Sequence, residues 1–158
     1  MTAHREIASL ASALMICFLL LSSFEPEFFL LHFWQSLIYL LILLLLFFFE
    51  DRWAYMIGML APAVWLLLTY ATGVLGGAMR QLSRLVHVQR PTNEVTMLAA
   101  VMAMFAVLMI VFCAYRWRRE YAGLGKGWTT FLVSFGIVAL HNVILVAWFW
   151  RIIPQAAP

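Results

Sequence analysis

Two histidines, His32 and His141, stand inside otherwise apolar stretches of this chain. A neutral imidazole nitrogen is a good iron ligand, and two imidazoles on facing helices can supply the axial ligands of a haem b. His32 is accompanied by Gln35, Ser36 and Tyr39, which project within about 100° of one another at helical spacing. His141 shares a stripe about 40° wide with Thr130, Ser134 and Trp148. Polar groups in hydrocarbon are costly unless satisfied, so both stripes are expected to point inward and toward each other. His32, Gln35, Tyr39 and His141 are therefore the candidate cofactor-binding residues, for haem b or for a quinone hydrogen-bonded by a histidine or Tyr39. Against shared iron stands depth: His32 lies about 6 Å and His141 about 13 Å from the same predicted membrane face. Structural hydrogen bonding between helices is the simpler role for the same residues.

Other chemistry has less to build on. Glu25, Glu27, His32, His87 and Glu94 fall on one predicted side, and carboxylate with imidazole suits several divalent ions. No ligand spacing ties them together, so they are read as solvated caps and no metal site is assigned. Cys17 and Cys113 are far from any C-x-x-C pattern and read as small buried hydrophobes. No Ser or Cys shares a local nucleophile motif with a histidine, and His4 carries no recognisable pattern. The glycine-alternating stretch 121–128 lacks the preceding strand that a phosphate-binding loop requires, and reads as an interfacial turn.

The elements that must position these residues follow from composition. Of 158 residues, 66% are hydrophobic and 11% charged, against about 45–50% and about 25% in a soluble domain. A soluble chain this short has no core large enough to hide such an apolar excess. About 20 apolar residues cross a bilayer, and stretches of that kind occupy 7–24, 28–49, 53–78, 95–115 and 128–150. Glu25-Pro26-Glu27 and Glu50-Asp51-Arg52 make tight turns that set the first three spans antiparallel. The first span, without an A-x-A-like cleavage site, is read as a retained anchor rather than a signal peptide. Between spans three and four, about 80–88, Leu82, Leu85 and Val86 share one face apart from Arg80, Arg84 and His87, as in a short interfacial helix. Thr92 or Asn93 caps the fourth span. The expected fold is all-α: a polytopic integral membrane bundle of five transmembrane helices, forming a single transmembrane domain over 1–158.

Helices in lipid associate through small residues. Gly58, Pro62, Thr69, Gly73 and Gly76 fall within about 60° on span three, and Gly73 with Gly77 meets the G-x-x-x-G rule. Pro62 removes a backbone hydrogen bond near the middle of that span. Ala99, Ala103, Ala106 and Cys113 give span four a similar face. Spans three and four are expected to form the bundle core, whereas 40–49 of span two, rich in Leu, Ile and Phe, faces lipid or a partner.

Ten Lys and Arg against seven Asp and Glu give a charge of +3, clustered at span edges as the positive-inside bias has it, with no nucleic-acid footprint. Arg5, Arg52, Arg116, Arg118, Arg119 and Lys126 lie on one side, and Arg80, Arg84, Arg90 and Arg151 on the other. This favours a cytoplasmic N-terminus and an outer C-terminus in a plasma or inner membrane. Trp34, Trp53, Trp117, Trp128, Trp148 and Trp150 lie near span ends, as an aromatic belt does. The expected role is a non-catalytic subunit, anchor or assembly factor, with the bilayer and a membrane-protein partner or second copy as its contacts. A redox subunit holding haem b or quinone is the first alternative, and an oligomeric transporter or channel the second.

Overall fold

A computed structural model describes residues 2–87, 93–121, 123, 125 and 127–149. The chain folds as helix α1 (Thr2–Phe24), a 3-10 turn (Pro26–Phe28), α2 (Phe29–Phe48), α3 (Asp51–Ala71), α4 (Val74–Val86), α5 (Glu94–Glu120) and α6 (Gly127–Phe149). Five of these, all but α4, are long and apolar enough to cross a membrane. The protein is thus an all-α, multi-pass membrane bundle, in which each helix satisfies its backbone internally, as hydrocarbon demands.

Local chemistry sets the breaks. Pro26 opens the turn after α1, where a missing N–H costs nothing. Glu50 is extended, with φ −90° and ψ 123°, and reverses the chain into α3. Asn93 caps α5: its side-chain oxygen accepts from Val95 N at 2.9 Å and Thr96 N at 3.2 Å. Of the two cap candidates, Thr92 lies outside the described residues, as do Arg90, Lys126, Trp150 and Arg151.

The third span ends earlier than the hydropathy pattern predicts. α3 stops at Ala71, Thr72 is its C-cap, and Gly73 follows with φ +78°. A left-handed residue just past the last turn is how helices commonly end, and glycine takes it without a Cβ penalty. Gly73 N donates to Tyr70 O at 3.0 Å and Thr72 N to Leu68 O at 2.9 Å. Gly73 is therefore a stop rather than a packing residue: among the described residues, no atom lies within 4 Å of where its Cβ would be. Gly76 is exposed and meets only Arg80 of its own helix. Residues 74–78 belong to α4, which starts six positions before the expected interfacial helix; residue 88 lies outside the described part. Gly77 does make a contact, 3.6 Å from Thr96 Cγ2, beside a small cluster of Ala78, Ala99 and Ala100 that seats α4 on α5.

The core lies among α1, α2, α3 and α5. α1 contributes Ile7, Ala11, Leu14 and Phe18 at three- and four-residue spacing, against Ile38, Tyr39 and Ile42 of α2. Beyond the spans three and four expected to form the core, α1 buries alanine, aliphatic and aromatic residues as well. α3 meets α5 through Ala54, Ile57 and Gly58 opposite Met102, Met109 and Cys113, with Ala103, Ala106 and Pro62 also buried. On α2, Ile42 and Leu46 are buried while Leu40, Leu44, Phe47 and Phe48 face outward.

The tightest point is Gly58. A Cβ there would stand 2.7 Å from Cys113 Sγ and 3.2 Å from Met109 Cε. Gly58→Ala is expected to destabilise the bundle by about 1–3 kcal/mol, the usual cost of overpacking, and Cys113→Ala to restore part of the loss. Gly136→Ala, where no described atom lies within 4 Å of the new methyl, is expected to cost nothing. Denaturant titration in detergent micelles followed by circular dichroism checks all three; a Gly58→Ala protein as stable as its parent would remove the contact.

Candidate functional site

The polar residues of α2 sort into two groups. At the helix start His32 is buried, its Nε2 3.0 Å from Glu25 Oε2 and its Nδ1 3.4 Å from Gln35 Oε1. The carboxylate can only accept, so Nε2 carries a proton and donates. Both ring nitrogens of His32 therefore have partners from the same end of the molecule. Ser36 is buried too and donates to Phe33 O at 2.7 Å, closing on its own helix.

One turn along, α2 faces α6. The Trp34 indole lies parallel to the His141 imidazole, with centroids 5.3 Å apart and planes 10° apart. Its Nε1 donates to the His141 backbone carbonyl at 3.1 Å. Trp148 comes edge-on to Trp34 at 6.4 Å, and Asn142 Nδ2 donates to Val138 O at 2.8 Å. Beneath this seam is a cavity of about 20 Å³ touched by Gln35, Tyr39, Trp65, His141 and Asn142. A water needs about 10–15 Å³, so the space admits one water, whereas cofactor-sized ligands occupy about 300–1,000 Å³. Tyr39 is fully buried and stacks on Phe18 at 5.6 Å.

Gln35, Tyr39 and His141 are thus brought together, and His32 is not among the residues around their cavity. The difference has a physical cause: seven residues upstream Glu25 offers a charged acceptor, a stronger partner for an imidazole than a neutral group deeper in the bundle. His32 and His141 do not line a common space among the described residues, and the hollow at His141 is the size of one water. Among the described residues, no three His, Cys, Asp or Glu side chains cluster closely enough to hold a metal ion. On α6, Thr130 and Ser134 are buried and Trp148 is exposed.

Several participants carry little sequence signal. Glu25 reads as a solvated turn residue and Trp34 as a belt residue, yet each engages one of the two histidines. A carboxylate seven residues from a histidine across a proline turn is the only visible sign of the first. At the opposite membrane edge His4 Nε2 pairs with Asp51 Oδ2 at 3.3 Å and its ring faces Tyr55 at 6.4 Å. Arg52 pairs with Glu50, and Arg116 with Glu120 at 3.3 Å. Just beyond α5, burial and then the carboxylates of Asp51, Glu120 and Glu50 raise the Tyr121 phenol above its ordinary range, outweighing Arg52. That edge is polar and carries charges of both signs.

Compared with known protein families, with curated proteins and with solved structures, the chain has no match.

The α2–α6 seam is testable on its own. Trp34→Phe keeps an aromatic ring over His141 and removes the indole donor, so it is expected to lower stability by about 0.6–1.7 kcal/mol, the range for interhelical hydrogen bonds in membranes. Trp34→Ala, which also removes the stack, is expected to cost more. Reversible unfolding in bicelles separates the two losses, and a Trp34→Phe protein as stable as its parent would place the bond's contribution at zero.

Proposed function

We propose that the protein is a non-catalytic subunit, anchor or assembly factor of a larger membrane complex, with its N-terminus cytoplasmic in a plasma or inner membrane. Supporting this reading, several polar side chains within the spans are engaged with their own bundle. His32 is held by Glu25 and Gln35, Trp34 by His141, and Ser22, Ser36, Thr69 and Asn142 by carbonyls of their own helices.

The observation that carries the reading is the position of α6. Only 22% of its most apolar window is buried, against 44% for α1. Its outward face runs through Leu132, Phe135, Leu140 and Val143, with Gly136 open among them. A glycine in the middle of an outward span leaves a notch through which another helix can approach closely, which is how helices associate in lipid. Bilayer contact accounts for the leucines and phenylalanines of that face; the notch is what suits a protein partner or a second copy.

A photo-cross-linking residue at Leu140, 61% exposed, is expected to give a discrete protein adduct in native membranes. The same residue at Leu30 on α2, 62% exposed, is expected to meet lipid only. Gly136→Trp should abolish the Leu140 adduct and leave thermal stability unchanged. An 18.1 kDa monomer cross-linked only to lipid from both positions would contradict the reading.

A further inference from the structure

Two adjoining hollows lie where α2, α3 and α6 meet at the polar edge of the bundle. The first, of about 340 Å³, is lined by Glu50, Asp51, Arg52, Trp117, Tyr121 and Thr130, among others. The second, of about 420 Å³, is lined by Leu41, Leu45, Trp53, Ile57, Val133 and Ile137. Phe49 and Glu50 belong to both walls, so the charged chamber and the apolar groove adjoin at these two residues. From Leu41 to Phe48 the groove follows seven residues of α2, about 10 Å at 1.5 Å per residue, and Phe49 and Glu50 carry its wall past the helix end. Together these cover much of one leaflet of a hydrocarbon core about 30 Å thick.

A molecule filling both spaces needs a polar head of several heavy atoms and an apolar chain that covers much of one leaflet. The charges narrow the head. Among the described residues two carboxylates and one guanidinium line the chamber; Glu50 pairs with Arg52, and Asp51 with the His4 imidazole. A guanidinium recognises phosphate, and a carboxylate accepts from a primary ammonium with short, charge-assisted bonds. An anionic head without an ammonium would add its charge to described lining groups that already hold one more carboxylate than guanidinium. A quaternary ammonium has no N–H to donate to these carboxylates. We propose that this double hollow is a binding site for a phospholipid with a phosphoethanolamine head. Its phosphate sits at Arg52, its ammonium at Asp51 and Glu50, and one acyl chain lies along Leu41, Leu45, Ile57, Val133 and Ile137.

The full chain, purified in mild detergent, is offered equimolar dioleoyl phosphatidylethanolamine, phosphatidylcholine and phosphatidylglycerol and examined by native mass spectrometry. One phosphatidylethanolamine is expected to be retained, at least fivefold over either competitor. Equal retention of the three, or an excess of phosphatidylglycerol or phosphatidylcholine, overturns the proposal. Asp51→Asn is expected to bring the ethanolamine-to-glycerol ratio down to about one. Val133→Trp, at a partly exposed groove position, is expected to lose the adduct with every lipid. Circular dichroism establishes that each variant is folded; a folded Asp51→Asn protein with the parent's preference, or a folded Val133→Trp protein with the parent's adduct, overturns it equally.

Discussion

In hydrocarbon two apolar helices gain little by meeting, because lipid is as apolar as leucine; what holds them is how closely their surfaces fit. In this protein the closest fit is between α3 and α5 at Gly58, where Cys113 Sγ occupies space that any side chain would need. Around that point stand Ile57, Ala54, Met109 and Met102, and α1 and α2 close over them with Phe18, Leu14, Ile42 and Tyr39. The hairpin of α1 and α2 and the tight turn into α3 bring these helices into reach. Close approach at Gly58 then decides which faces become interior. The outward position of α6 is the complement of the same arrangement, since four helices already enclose most of the core.

The polar groups fit around this frame at its two ends rather than at its centre. One end holds Glu25, His32 and Gln35, and the other holds His4, Asp51, Glu50 and Arg52. Between them the seam of α2 and α6 has a single stacked pair, Trp34 on His141, over a space for one water. A site that sets one imidazole on a carboxylate and stacks the other on an indole is suited to fixing helix registers. The charged chamber beside Phe49 is different in kind, because it is roomy, adjoins an apolar groove and is lined by charges of both signs.

Much of the fold was legible in the residues. Spans, both hairpin turns, the Asn93 cap and the packing value of Gly58 and the α5 alanines follow from hydropathy, proline placement and small-residue stripes. What escaped has specific causes. Gly73 and Gly77 satisfy a dimerisation spacing, but a glycine also serves as a helix stop, and only the φ of +78° at Gly73 distinguishes the two. α1 buries alanine and aliphatic residues that look the same whether they face lipid or protein. At the candidate site, the inward direction of Gln35, Tyr39 and His141 was readable from their helical phase. The capture of His32 by Glu25 was not, because it depends on how the proline turn folds the carboxylate back over the first turn of α2. A phase angle places a side chain on a face and says nothing of which neighbour reaches it first.

The claim on which the account rests is the α3–α5 contact, and a cross-link tests it most directly. The Cβ of a residue at position 58 would lie 3.9 Å from Cys113 Cβ, within the range of about 3.5–4.5 Å that a disulfide spans. In a Cys17→Ser background, Gly58→Cys is predicted to form a disulfide with Cys113 on mild oxidation in the membrane, read by mass spectrometry of the joined peptides. If both thiols stay reduced and alkylate separately in folded protein, α3 and α5 do not meet at Gly58 and the packing described here is incorrect.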